Sequence, residues 1–85
     1  MGYFPASYSV ARAISKSDTV DFDKNLNAGL CDAIWVGGAG IVSAVFPGDT
    51  VVDFTCVAGT ILPIRCKRVN STTTSATVMV ALYSI

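Results

Sequence analysis

The chain has 85 residues, 52% of them hydrophobic and only 14% charged, with six acidic and six basic side chains and a net charge of zero. That length makes one domain with one small core, and a chain of this size buries only roughly 60% of its unfolded surface. Zero net charge supplies no global field toward DNA, RNA or an anionic membrane, and so low a charged fraction predicts apolar surface kept for other subunits or a partner.

Residues 1–9 carry three aromatics (Tyr3, Phe4, Tyr8) and one proline with no clean period. They read as an extended arm, and aromatics in an arm want a surface such as a neighbouring subunit. The segment has no basic stretch followed by an apolar one, so no signal peptide is expected. Ala6 stands where a myristoylation signal wants Ser or Thr. Val10–Ser15 reads as a first short strand. Asp18–Gly29 is polar and reads as a loop with room for one helical turn that Asp18 could cap.

From Cys31 onward, short runs rich in Val, Ile and Phe alternate with turn residues, the pattern of a sandwich or barrel. The runs are Asp32–Val36, Ile41–Phe46, Thr50–Val57, Ile61–Val69 and Ala76–Tyr83. The connections are Gly37–Gly40, Pro47–Asp49, Ala58–Thr60 and Asn70–Ser75. Short connections favour antiparallel neighbours, so a meander is the simplest topology. The predicted class is all-β: a small antiparallel β-sandwich or barrel over residues 10–85, preceded by the arm over residues 1–9.

Alternation sorts the faces. Val52, Phe54 and Cys56 share one side of their run, against Val51, Asp53 and Thr55. In the last run Val78, Val80 and Leu82 share one side, and Thr77, Met79, Ala81 and Tyr83 the other. A strand apolar on both sides is central in a double layer or lies against another chain. Pro63 donates no ladder hydrogen bond, so Ile61–Val69 is expected at an edge or bulging there.

The chemistry that could signal an enzyme is missing. With no histidine, a Ser or Cys nucleophile lacks its usual base, and Asp18, Asp21 and Asp23 crowd a polar loop where carboxylates are normally solvated. Cys31, Cys56 and Cys66 are odd in number and none forms CxxC, which suits free buried thiols in a reducing cytosol better than a disulfide scaffold. No metal or cofactor is expected. Gly37-Gly38-Ala39-Gly40 lacks the Gly-Lys of a phosphate loop and has Ser43 where a dinucleotide fingerprint wants glycine; it reads as a hairpin turn. Asn70-Ser71-Thr72 is formally a glycosylation acceptor, relevant only in a eukaryotic secretory pathway. Ala33–Gly48 is uncharged but shorter than the ~20 residues of a spanning helix and rich in glycine.

Arg65, Lys67 and Arg68 form the one basic cluster. No aromatic is interleaved for base stacking, and charged residues also guard sheet edges. The cluster therefore reads as an edge and interface feature, with Ser71–Ser75 as a solvated hairpin tip or a polar contact surface.

Taken in order, Ser17-Asp18, Ile34-Trp35-Val36-Gly37, Ala58-Gly59-Thr60-Ile61-Leu62-Pro63, Lys67-Arg68-Val69, Thr72–Thr74 and Ala81-Leu82-Tyr83 resemble the spike-base or head-decoration family of tailed phages and phage-derived gene-transfer particles. The likeness runs from about Ala13 to Tyr83, although the Thr-rich tip lacks a glycine often found there. The resemblance implies a non-enzymatic virion protein, made in the host cytoplasm and carried on the capsid exterior as spike base, cement or decoration subunit. Its implied partners are itself, as a trimer or pentamer, the major capsid protein, and a spike or fibre protein on top; nucleic acid and membrane are not expected. Candidate interface residues are Tyr3, Phe4, Tyr8, Trp35, Arg65, Lys67, Met79 and Tyr83. Two other readings stay open: a carbohydrate-binding β module, which needs a platform of exposed aromatics, and a membrane-active peptide using Ala33–Gly48.

Overall fold

Branched and aromatic side chains fit a pleated, half-buried surface, and the runs rich in them form the strands. The computed structural model describes residues 8–84. Its strands are β1 (Val10–Ala13), β2 (Ala33–Gly38), β3 (Gly40–Val45), β4 (Val51–Cys56), β5 (Thr60–Leu62), β6 (Arg68–Val69) and β7 (Thr77–Tyr83). One 3-10 turn, Asn27–Gly29, is the only helical element among the described residues. Every strand pairing is antiparallel, and the two sheets run β1-β7-β2-β5 and β4-β3-β6. The all-β expectation holds, and the form is a small sandwich.

The topology is not the expected meander. Only β3 and β4 are sequential neighbours, joined through Pro47-Gly48-Asp49 with Phe46 N–H donating to the Thr50 carbonyl at 2.7 Å. β1 and β2 share the first sheet but lie on either side of β7, and the other connections change sheet: β2 to β3, β4 to β5, β5 to β6 and β6 to β7 each cross the sandwich. The Gly37–Gly40 stretch is therefore a crossover, not a hairpin. Its glycines let two backbones meet. A Cβ on Gly40, whose φ is +150°, would lie 2.6 Å from the Ala76 nitrogen.

The single expected run Ile61–Val69 is two strands in different sheets. Pro63 ends β5, and Pro63–Lys67 carries the chain across to β6 beside β3. On its other side β6 is covered by the polar loop, since Ser17 N–H donates to the Val69 carbonyl (2.9 Å) and Phe22 N–H to that of Lys67 (2.8 Å).

Asp18 does not cap the helical turn, which begins after Leu26 with no side-chain cap. It instead accepts hydrogen bonds from the Thr72 N–H (2.9 Å) and hydroxyl (2.7 Å). Ser71–Ser75 is likewise not a free tip. Thr74 is buried, its hydroxyl accepting the Ser43 N–H at 3.0 Å, and the Ser75 hydroxyl accepts the Ile41 N–H at 2.9 Å.

The core lies between the sheets. Ile34 and Val36 of β2, Met79, Ala81 and Tyr83 of β7, and Val42 and Ala44 of β3 fill it, closed by Cys31, Cys66 and Val69. Met79 and Tyr83, candidate interface residues, thus belong to the chain's own interior, 5% and 1% exposed. With both faces of β7 apolar, alternation separates the faces without saying which one turns inward.

Candidate interaction surfaces

Because Met79, Ala81 and Tyr83 point inward, the other side of the first sheet faces out. The register places Ala13, Val80, Trp35 and Ile61 in one cross-strand row, with Ala11 and Leu82 in the next. These six residues cross all four strands without a charge. Ile61 is 51% exposed, and Val78, on the same side of β7, is 67% exposed. Trp35 is half-buried, and its ring lies along the backbone, since a Cβ on Gly37 would meet its Cη2 at 2.7 Å. Val78 has φ +53°, in the left-handed region that branched side chains resist.

The basic cluster has different surroundings. Arg65 Nε lies 3.3 Å from Asp32 Oδ1, Lys67 pairs with Asp49, and Arg68 Nη1 lies 2.9 Å from Asp21 Oδ1. Each base thus faces an aspartate from a distant part of the chain. Asp32 also accepts the Ser84 N–H at 2.7 Å, which ties the end of β7 to the start of β2. The Lys67 ammonium holds the Asp49 carboxyl below its ordinary range, and Thr72 does the same for Asp18 by hydrogen bonding. Three neutralised pairs make no concentrated positive patch for a phosphate backbone.

Among the described residues the aromatics do not gather into a platform. Phe22, Phe46 and Phe54 pack against the core, Tyr83 lies within it, and Tyr8 and Trp35 are half-buried. Tyr3 and Phe4, with most of the arm, lie outside the described residues. Ala33–Gly48 is divided between β2 and β3, and no helix among the described residues is long and apolar enough to cross a membrane. Among the described residues, no three His, Cys, Asp or Glu side chains are grouped to hold a metal ion.

The strongest candidate is therefore the outer face of the first sheet, of which sequence reasoning selected only Trp35. The other signal was present in Val78, Val80 and Leu82, which alternation groups together. The three aspartates that neutralise the basic cluster carry no local mark, because the fold alone brings them there.

No protein-family model matches the chain, and no curated protein does. It is similar to one chain of a solved structure described as the capsid of a native GTA particle, a gene-transfer agent, computed with C5 symmetry. The two are 29% identical, with a TM-score of 0.77, over 89% of this chain and 83% of that one.

Proposed function

We propose that this chain is a non-enzymatic structural subunit of a phage-derived particle, seated on the outside of the capsid as a spike base, cement or decoration protein. The observation that carries the reading is the likeness to the capsid-particle chain over most of both lengths. That likeness supports a virion structural role and a virion location. The exterior position and the specific office belong to the proposal.

The outer face of the first sheet suits such a role. An uncharged four-stranded surface is unfavourable in water and favourable against another protein. A ring of identical subunits buries it once per copy and closes on itself. A trimer or pentamer is proposed, with Trp35, Ile61 and Val78 in the contact and Arg65 and Lys67 at its polar rim. The arm, residues 1–9, is proposed to reach a neighbouring subunit.

The test pairs native mass spectrometry of the purified protein with co-sedimentation on assembled capsids that lack it. A discrete closed oligomer that binds capsids is expected. Ile61→Asp with Val78→Asp should abolish one or both while leaving the β circular-dichroism signal, because both side chains are half or more exposed. Deleting residues 1–9 should weaken attachment. Arg65→Ala with Lys67→Ala should affect attachment more than folding. A protein that stays monomeric and ignores capsids would defeat the proposal. A double-aspartate variant that assembles like wild type would move the contact to another face.

A further inference from the structure

Cys31 and Cys66 are 35 residues apart in sequence, both fully buried, and their sulfurs lie 3.7 Å apart with no disulfide between them. Their backbones are already joined, Cys31 N–H donating to the Cys66 carbonyl at 3.3 Å. Cys31 lies two residues before β2 of the first sheet, and Cys66 two residues before β6 of the second. The pair thus sits where the two sheets are held together, with Cys66 inside the Pro63–Lys67 crossover. Cys56 is placed differently, at the end of β4, with its thiol 3.7 Å from the Phe54 carbonyl.

We propose that Cys31 and Cys66 form a reversible dithiol–disulfide site that staples the two sheets when the protein meets an oxidising small disulfide. A disulfide needs about 2.05 Å between sulfurs. Adjustment of two side chains on already tethered backbones can supply the remaining approach.

The chemistry balances as two exchanges. The Cys31 thiol gives its proton to solvent and attacks one sulfur of oxidised glutathione, and the first glutathione leaves as a thiolate. Cys66 then loses its proton and attacks the Cys31 sulfur of the mixed disulfide, expelling the second glutathione. One small disulfide is reduced to two thiols, the cysteine pair is oxidised, and the two protons end on the released thiols.

The order of attack follows from the contact between the sulfurs. A hydrogen bond from Cys66 draws the Cys31 thiol below its ordinary value. The same bond, with burial, pushes Cys66 well above its own. Burial makes the pair inert in the closed protein, so exchange passes through local opening of the segments that carry the two residues. The inference does not depend on the particle reading, but a particle assembled in reducing cytoplasm and then released would meet these conditions.

The test treats the reduced full-length protein, and its Cys56→Ser variant, with oxidised glutathione in buffer and in mild urea. Both are then acid-quenched for mass spectrometry and peptide mapping. The expected result is loss of two hydrogens, a Cys31–Cys66 linked peptide in both proteins, faster formation in mild urea, and reversal by dithiothreitol. Cross-linking a loop of this length should raise the melting temperature by roughly 5–10 °C, allowing for some native strain. A linkage that uses Cys56, a mixed disulfide that never closes, an unchanged mass in urea, or an oxidised protein that melts lower would each overturn the assignment.

Discussion

Removing Asp21 should unsettle the fold more than removing the arginine it faces. Arg68 and Asp21 form an ion pair at 2.9 Å with side chains 19% and 24% exposed. Arg68 Nε is also buried, with no hydrogen-bond partner among the described residues. Asp21→Ala leaves that guanidinium largely desolvated and uncompensated. Breaking a fully buried pair costs about 3–5 kcal/mol, and an exposed one about 0–1 kcal/mol. The intermediate exposure here places Asp21→Ala at about 2 kcal/mol, a fall in melting temperature of roughly 8–16 °C for a domain of this size. Arg68→Met keeps the apolar stem and removes the buried charge, so it should cost less than about 1 kcal/mol. Urea denaturation of both variants and of the double variant measures the coupling directly. The reasoning fails if Asp21→Ala unfolds at the wild-type midpoint, if Arg68→Met is the more damaging change, or if the double variant is no more stable than Asp21→Ala.

Three other outcomes are expected. Gly40→Ala would push a Cβ to 2.6 Å from the Ala76 nitrogen at a φ of +150°, and should cost about 2–4 kcal/mol by thermal melt; a near-neutral variant would mean the crossover is looser than described. The Thr72 hydrogen bonds hold the Asp18 carboxyl below its ordinary 3.8, so on acidification the unfolded chain takes up that proton first. Its contribution is complete above about pH 4 and fades as pH falls through the lower folded value, and Asp18→Asn should flatten that part of the acid stability curve; an unchanged curve would count against it. Val78 is 67% exposed at φ +53°, so Val78→Gly should leave stability unchanged or raise it by about 1 kcal/mol, as relief of backbone strain offsets the added freedom of the unfolded chain. A loss of more than about 1 kcal/mol would show that Val78 has packing the exposure does not reveal.

Alternation and turn residues made β2, β3, β4 and β7 legible to within a residue or two, because the first three are branched or aromatic runs set off by nearby Gly, Pro or Asp and β7 follows the polar Asn70–Ser75 stretch. The topology was not legible. Short connections suggest neighbours, but a crossover between stacked sheets is equally short, and the glycines of residues 37–40 serve close backbone approach as readily as a hairpin. Ile61–Val69 looked continuous because local pattern does not record that Leu62 pairs with Ile34 while Val69 pairs with Ala44. Met79 and Tyr83 read as interface candidates for a related reason: hydrophobic patterning chooses a face only when the other face is polar. Of the candidate contact surface, Trp35 was legible as a large apolar residue just before a glycine-rich stretch, whereas Ile61 joins it only through the strand register.

The pairing of β1 with β7 has a consequence for synthesis. Val10 lies opposite Tyr83, so the strand made first waits for the one made last among those described. Until β7 leaves the ribosome, β2 has only β5 beside it, and the broad uncharged surface does not exist as a surface. The three-stranded sheet can pair earlier, yet its inner side stays uncovered until the same moment. Such distant pairing is slow to form, and it couples the completion of the fold to the appearance of its adhesive side. A nascent chain has not yet built its docking face, and what it exposes instead is the uncovered core side of the second sheet, around Val42, Ala44 and Val69.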